Sequence, residues 1–232
     1  LSVAGGLNSA GFGIVFSQAV SGISDTASID MGRFCKEALG RCGLVPDFTK
    51  LLAEQQKTLP PSASFACIDA RGAAVLFESA EMIDINDPQL APEGFRVRAG
   101  FNFSQGDSAN SPVWRYHRAT EMIGTFARHD ALHHGTLIRY VARDLKTPGL
   151  NPYPLPFTGT HENAPHGFIP TRFALNQFNS VAGLVIQSGR AESSLPTMWV
   201  LLGMPAVSAA IPVWPQAGSV PDICSGEDAF LN

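Results

Sequence analysis

The side chains here best suited to chemistry are six histidines, four cysteines and a few serines, asparagines and arginines, and their spacing excludes more than it selects. His129, His133 and His134 lie in the run His-Asp-Ala-Leu-His-His, where two imidazoles four apart on a helix could grip a metal ion. The run has no third ligand at a recognisable spacing and no glutamate base beside the first histidine, so a solvated helix end with a cationic cap is the preferred reading. His161 and His166 fall in a long irregular stretch, where they could line the mouth of a site or stand as exposed loop residues. Cys35, Cys42, Cys67 and Cys224 form no C-x-x-C pair and have no close histidine, which removes zinc and dithiol redox motifs. Cys35 and Cys42 share a helix face but sit about 10 Å apart along its axis, too far for a disulfide, so buried free thiols are expected. No G-x-S-x-G elbow supports a serine hydrolase, and Gly5-Gly6-Leu7-Asn8-Ser9-Ala10-Gly11 runs into a strand rather than a helix, unlike a phosphate cradle. No metal and no cofactor are expected.

The elements that must position these groups belong to a folded α/β chain. Apolar residues make up 45% of the 232 and charged residues 16%, a balance that excludes disorder. A net charge of −4 and an isoelectric point near 5.8, with no lysine and arginine clustering between aromatics, argue against a nucleic-acid partner. The longest apolar runs, such as residues 198–207, reach about half the roughly 20 residues needed to span a bilayer, so no membrane partner is expected.

Along the chain, a glycine-rich turn at Gly5-Gly6-Leu7-Asn8 leads to a strand over residues 11–20. Asp25, Thr26 and Ser28 offer caps for a helix that Gly43 stops, and Pro46-Asp47 opens a second, shorter helix. Strands at 64–69 and 73–79, joined by a tight turn at Ala70-Arg71-Gly72, are followed by strands at 82–85 and 95–103, in a sheet expected to be antiparallel. An amphipathic helix over 112–129 and a shorter one over 137–145 precede a long Pro-, Gly-, Asn- and Thr-rich loop at 148–170. Strands return at 180–188, 197–202 and 206–212.

Four stretches, taken in order, resemble the penicillin V acylase, choloylglycine hydrolase and isopenicillin-N acyltransferase group of N-terminal-nucleophile (Ntn) hydrolases. They are Gly6 to Ile14, similar to that group's glycine-asparagine turn into a core strand; Cys67 to Glu78, similar to its central hairpin; Phe95 to Phe103; and Thr197-Met198-Trp199-Val200-Leu201-Leu202-Gly203-Met204-Pro205, followed by Ser208 to Trp214, similar to the C-terminal strand pair of acyltransferase-like members.

The resemblance implies an α+β fold, a four-layer αββα sandwich with mainly antiparallel sheets, formed by residues 1–232 as a single domain incomplete at its N-terminus. It implies hydrolysis or transfer at a linear amide C–N bond, with a small-molecule acyl amide as substrate. In that group the first residue of the mature chain, usually Cys, attacks the carbonyl and its own α-amine is the base. Leu1 has no nucleophilic atom, so the nucleophile is expected upstream, on a preceding segment or companion peptide. The resemblance gives Asn102 the oxyanion role, although the group's asparagine aligns nearer Gly100. It places Gln18 or Ser17 beside the nucleophile and Arg172 before the late strand, and sets Asn8, Ser17 and Trp199 as candidate substrate contacts, to which His161 is added from its place in the long loop. A turn role for Asn8, core packing for Trp199 and a surface ion pair for Arg172 are the competing readings. The alternative function is a non-catalytic ligand-binding domain that retains the fold. A homo-oligomer would fit the resemblance, and low lysine content with Pro-rich loops is compatible with export to the periplasm or outside the cell.

Overall fold

The computed structural model describes residues 4–18, 30–55, 59, 63–78, 81–99, 111–161, 164–189 and 194–219. The chain divides into two compact units, the first comprising Leu1–Asn102, Ile186–Trp199 and Pro212–Asn232, the second Phe103–Val185 and Val200–Ile211. It is a mixed α+β fold.

In the first unit, strands β1 (Gly5–Leu7), β2 (Gly13–Gln18), β3 (Ala63–Ile68), β4 (Ala74–Glu78) and β5 (Glu81–Asp84) form an antiparallel sheet in sequence order. Period-two alternation gives the sheet two chemically distinct faces. The register pairs Ile14 with Cys67, Phe16 with Phe65, Phe65 with Phe77 and Cys67 with Val75, which aligns these apolar side chains on one face. Helices α1 (Met31–Arg41) and α2 (Val45–Gln55) cover that face with Met31, Phe34, Cys35, Ala38, Phe48 and Leu51, all buried. Phe48 is the hub of the core, its ring centroid lying 6.0, 5.9, 5.4 and 5.2 Å from those of Phe12, Phe34, Phe65 and Phe77.

Polar side chains close the ends of these elements. The α1 cap is Asp30, whose Oδ1 accepts from the N–H groups of Gly32 and Arg33 at 2.9 and 3.4 Å; the candidate caps Asp25, Thr26 and Ser28 lie outside the described residues. Asp47 Oδ2 accepts from Gly43 and Leu44 N–H at 3.1 and 3.0 Å, and these bonds, the one from Gly43 foremost, hold its carboxyl below the ordinary aspartate value. Asp69, 1% exposed, ties three segments together: Oδ2 accepts from Val45 N–H at the start of α2, while Oδ1 accepts from Arg71 and Ala73 N–H across the hairpin turn. That turn needs Gly72, whose φ of 89° lies in the left-handed region.

On the face of the sheet away from the helices, Gly13 meets Ile186 of β6 (Ala182–Gln187). A Cβ built on Gly13 would lie 2.8 Å from Ile186 Cγ2, so only glycine admits this approach. β6 belongs to a three-stranded sheet, ordered β6-β7-β8, with β7 (Thr197–Leu202) and β8 (Ala210–Val213).

The second unit contains α3 (Ser111–Arg128) and a single helical turn, α4 (His134–Thr136), that runs into a π-helical turn at Leu137–Val141. Its buried residues mix Ala119, Leu145, Ala174 and Leu201 with Asp144, Thr147, Thr171 and Asn176. Polar tethers organise the long loop: Leu145 N–H donates to Tyr153 Oη at 3.0 Å, Asn176 N–H donates to the Asp144 carbonyl at 3.0 Å, and Ala206 N–H donates to Asn176 Oδ1 at 2.6 Å. Arg118 forks onto Asp144 through Nε at 3.1 Å and Nη2 at 2.9 Å, and that carboxylate raises the guanidinium above its ordinary value.

Four expectations are corrected. Gly5-Gly6-Leu7 is a short edge strand, so the turn begins only at Asn8. Residues 95–99 form no strand, and 100–103 lie outside the described residues. The helix expected over 137–145 is a π turn in which Ala142 N–H donates to the Leu137 carbonyl at 2.8 Å. The last strand starts at Ala210, because Val207 and Ser208 N–H both turn back onto the Met204 carbonyl. Among the described residues no helix is long and apolar enough to cross a membrane.

Candidate functional site

On the sheet face away from the helices, register sets four polar residues in one row: Ser17 opposite Ser64, Ser64 opposite Glu78, and Glu78 opposite Glu81, whose side chain lies outside the described residues. The next row, Val15, Ala66, Leu76 and Ile83, is apolar. Arg98 reaches the polar row from the irregular segment 95–99. Its Nη2 lies 2.6 Å from Glu78 Oε1 and 3.4 Å from Ser64 Oγ. The Arg98 and Glu78 side chains are 11% and 13% exposed and Ser64 is 4% exposed, so a charge pair and a hydroxyl are withdrawn from water together. The Glu78–Arg98 pair is neutral as a unit, and with Ser64 it offers both donors and acceptors from three different segments. It suits the orienting of a neighbouring group better than the binding of a net charge.

The candidate residues are placed as follows. Ser17 is half-buried in the polar row, and the Gln18 backbone continues β2 opposite Ala63, its side chain lying outside the described residues. Asn102 also lies outside the described residues. Asn8 has a structural job: Nδ2 donates to the carbonyls of Leu39 and Cys42 at 2.9 and 2.7 Å, while Oδ1 accepts from Ala10 and Phe12 N–H at 3.1 and 3.0 Å. This fastens the β1–β2 turn to the last carbonyls of α1 and engages both ends of the amide. Arg172 is exposed and sits over the Phe173 ring, 5.7 Å from its centroid. His161 and Trp199 are half-buried, the latter on β7. Among the described candidates only Ser17 therefore falls at the polar row, since Gln18 pairs one position on with the core residue Ala63.

Ser64, Glu78 and Arg98 were not singled out by sequence reasoning. The readable signal was Glu78, a charged residue in phase with Leu76 on an otherwise apolar hairpin strand. The partner that makes it tolerable is 20 residues away and could not be read from periodicity.

His133 is an exposed helix cap, its Nδ1 accepting from Gly135 N–H at 3.1 Å, and no cluster of three metal-ligating side chains occurs among the described residues. Cys35, Cys42 and Cys67 are free and buried. All three belong to the core between the sheet and its helices, on the opposite face from the polar row. Burial pushes the Cys35 thiol up to about 12 and the Cys42 thiol to about 11, and raises Cys67 well above its ordinary value. Thiolate is the reactive form, so these groups are inert in the folded protein. In a Cys224→Ser variant at pH 8, a thiol reagent is expected to modify less than about a tenth of an equivalent before unfolding and all three thiols afterwards. Rapid native modification of any of them would place that cysteine outside the core.

Comparison with protein-family models, with curated proteins and with solved structures finds no match for this chain.

Proposed function

We propose that this chain forms the larger part of an Ntn hydrolase or acyltransferase acting on linear amides, built as an αββα sandwich, with its nucleophile on a residue preceding Leu1. The observation that carries the reading is the convergence of three of the four resembling stretches. Residues 6–14 and 67–78 pair directly, Gly13 with Ile68 and Ile14 with Cys67, and residues 95–99 of the third stretch join them through Arg98 on Glu78. The layering supports it as well, since helices cover one face of the first sheet and Ile186 of β6 approaches the other. The described cysteines support an external nucleophile, because they are buried on the wrong face with raised pKa values.

In this reading the α-amine of an N-terminal cysteine, with an ordinary pKa near about 8, takes the thiol proton as sulfur attacks the amide carbon. The carbonyl oxygen becomes an oxyanion held by the Asn102 amide or a backbone N–H. The protonated amine then passes its proton to the leaving nitrogen, the C–N bond breaks and a thioester remains. Water, or an acceptor amine in a transferase, attacks the thioester with the same amine as base, releasing the acyl product and restoring the thiol. No metal or redox partner enters these steps.

The test is the intact mass and N-terminal sequence of the full-length gene product, followed by turnover of a panel of acyl amides. The expected result is a species beginning with Cys, Ser or Thr, whose replacement by alanine lowers kcat by about a thousandfold or more. A mature chain that begins at Leu1 and binds acyl amides without turnover would overturn the reading in favour of a binding domain.

A further inference from the structure

Buried ion pairs are poor stabilisers, because withdrawing two charges from water offsets most of their attraction, and apolar side chains of equal volume commonly serve a core as well. Glu78 and Arg98 nevertheless pair at 2.6 Å beside an apolar row, both nearly nine-tenths buried. The effect of such a pair is geometric. Residues 95–99 belong to no strand ladder among the described residues, so Arg98 supplies the fixing that a ladder would give. Nη2 of its guanidinium meets Glu78 on β4 and Ser64 on β3, and contact with two strands fixes where the segment lies against the sheet. Ser64 is the register partner of Ser17, the residue that the hydrolase reading sets beside the nucleophile, so the anchor sits one strand from Ser17 on the same face.

We propose that Arg98, through Glu78 and Ser64, is a positioning residue for amide turnover, holding residues 95–99 in the register that chemistry needs. The inference rests on the hydrolase reading above. Arg98 touches neither the reacting atoms nor the nucleophile; it acts through the segment it fixes. Displacing a catalytic group by about 1 Å is enough to lower a rate about 100-fold while leaving remote substrate contacts in place.

The experiment uses the full-length, processed protein and an acyl amide that the wild type turns over. The double variant Glu78→Leu with Arg98→Met replaces the pair with apolar side chains. It is expected to keep a melting temperature within about 5 °C of wild type, yet to lose about 100-fold in kcat with KM changed less than about threefold. Arg98→Lys, which keeps the charge but not the reach and shape of the guanidinium, is expected to fall between the two. Wild-type kcat in the folded double variant, or a change confined to KM, overturns the proposal. If the double variant does not fold, Glu78→Gln is assayed below its melting transition, where unchanged kcat is equally fatal. A wild type without turnover defeats the hydrolase reading itself, and this inference with it, whereas turnover insensitive to Arg98 defeats only the inference.

Discussion

Replacing Phe48 with alanine is expected to lower the unfolding free energy by about 4 kcal/mol, within the range for removing a fully buried phenylalanine ring. Phe48 is 0% exposed and its ring lies within 6.0 Å of four others, Phe12, Phe34, Phe65 and Phe77, drawn from the β1–β2 turn, α1, β3 and β4. The loss has two parts. Transfer of the ring to water accounts for roughly 2 to 3 kcal/mol, and the remainder comes from a void that four phenylalanines on separate elements cannot close by small rotations. Phe48→Leu keeps most of the volume and is expected to cost about 1 to 1.5 kcal/mol. Urea unfolding of both variants, followed by far-UV circular dichroism, checks the pair. Equal midpoints for Phe48→Ala and wild type would mean that α2 does not pack on the sheet through this ring.

Why so much of this unit was readable follows from what fixes it. The hairpin of β3 and β4 is written locally: alternating apolar residues on both sides of Ala70-Arg71-Gly72, with Asp69 able to accept from the turn's own backbone two and four residues on. β7 falls on the expected residues, and α3 within a residue of its expected ends, because a long amphipathic period dominates its neighbours. Local signals failed where distant groups decide. β1 is a strand only because β2 offers it a ladder, and Asn8 is held by carbonyls 31 and 34 residues away. Residues 95–99 carry strand-like alternation but form no strand, and the Arg98 side chain reaches Glu78 and Ser64 instead.

The candidate site divides the same way. Ser17 and Gln18 were placed correctly on a core strand, since alternation and strand propensity both act there. Reading a polar residue beside them as functional required the facing residue on β3, which only register supplies. Asn8 shows the converse: an asparagine in a Gly-rich stretch reads equally as ligand contact or turn residue, and only its four backbone partners distinguish them.

In the second unit, Arg118→Ala is expected to destabilise by about 3 to 5 kcal/mol, because it leaves the Asp144 carboxylate buried without its countercharge. Asp144 is 1% exposed and receives two of Arg118's donors, at 3.1 and 2.9 Å. Its backbone carbonyl also anchors Asn176, whose Oδ1 holds Ala206, so a carboxylate driven toward water pulls on the loop and on the turn before β8 together. The fork also contacts Glu121 through Nη1 at 3.0 Å, but that carboxylate is 64% exposed. Glu121→Ala is therefore expected to cost well under about 1 kcal/mol. The decisive comparison is the double variant Arg118→Met with Asp144→Leu, which removes both charges and keeps the volume. Since the single change is costly mainly through the orphaned charge, the double is expected to recover to within about 1.5 kcal/mol of wild type. Thermal unfolding of the four proteins separates the two explanations. If the double variant is as unstable as Arg118→Ala, the fork holds the loop by directional hydrogen bonding that no apolar pair can replace; if it recovers, packing and the Asn176 tethers are sufficient and the charges serve to select this arrangement of the loop.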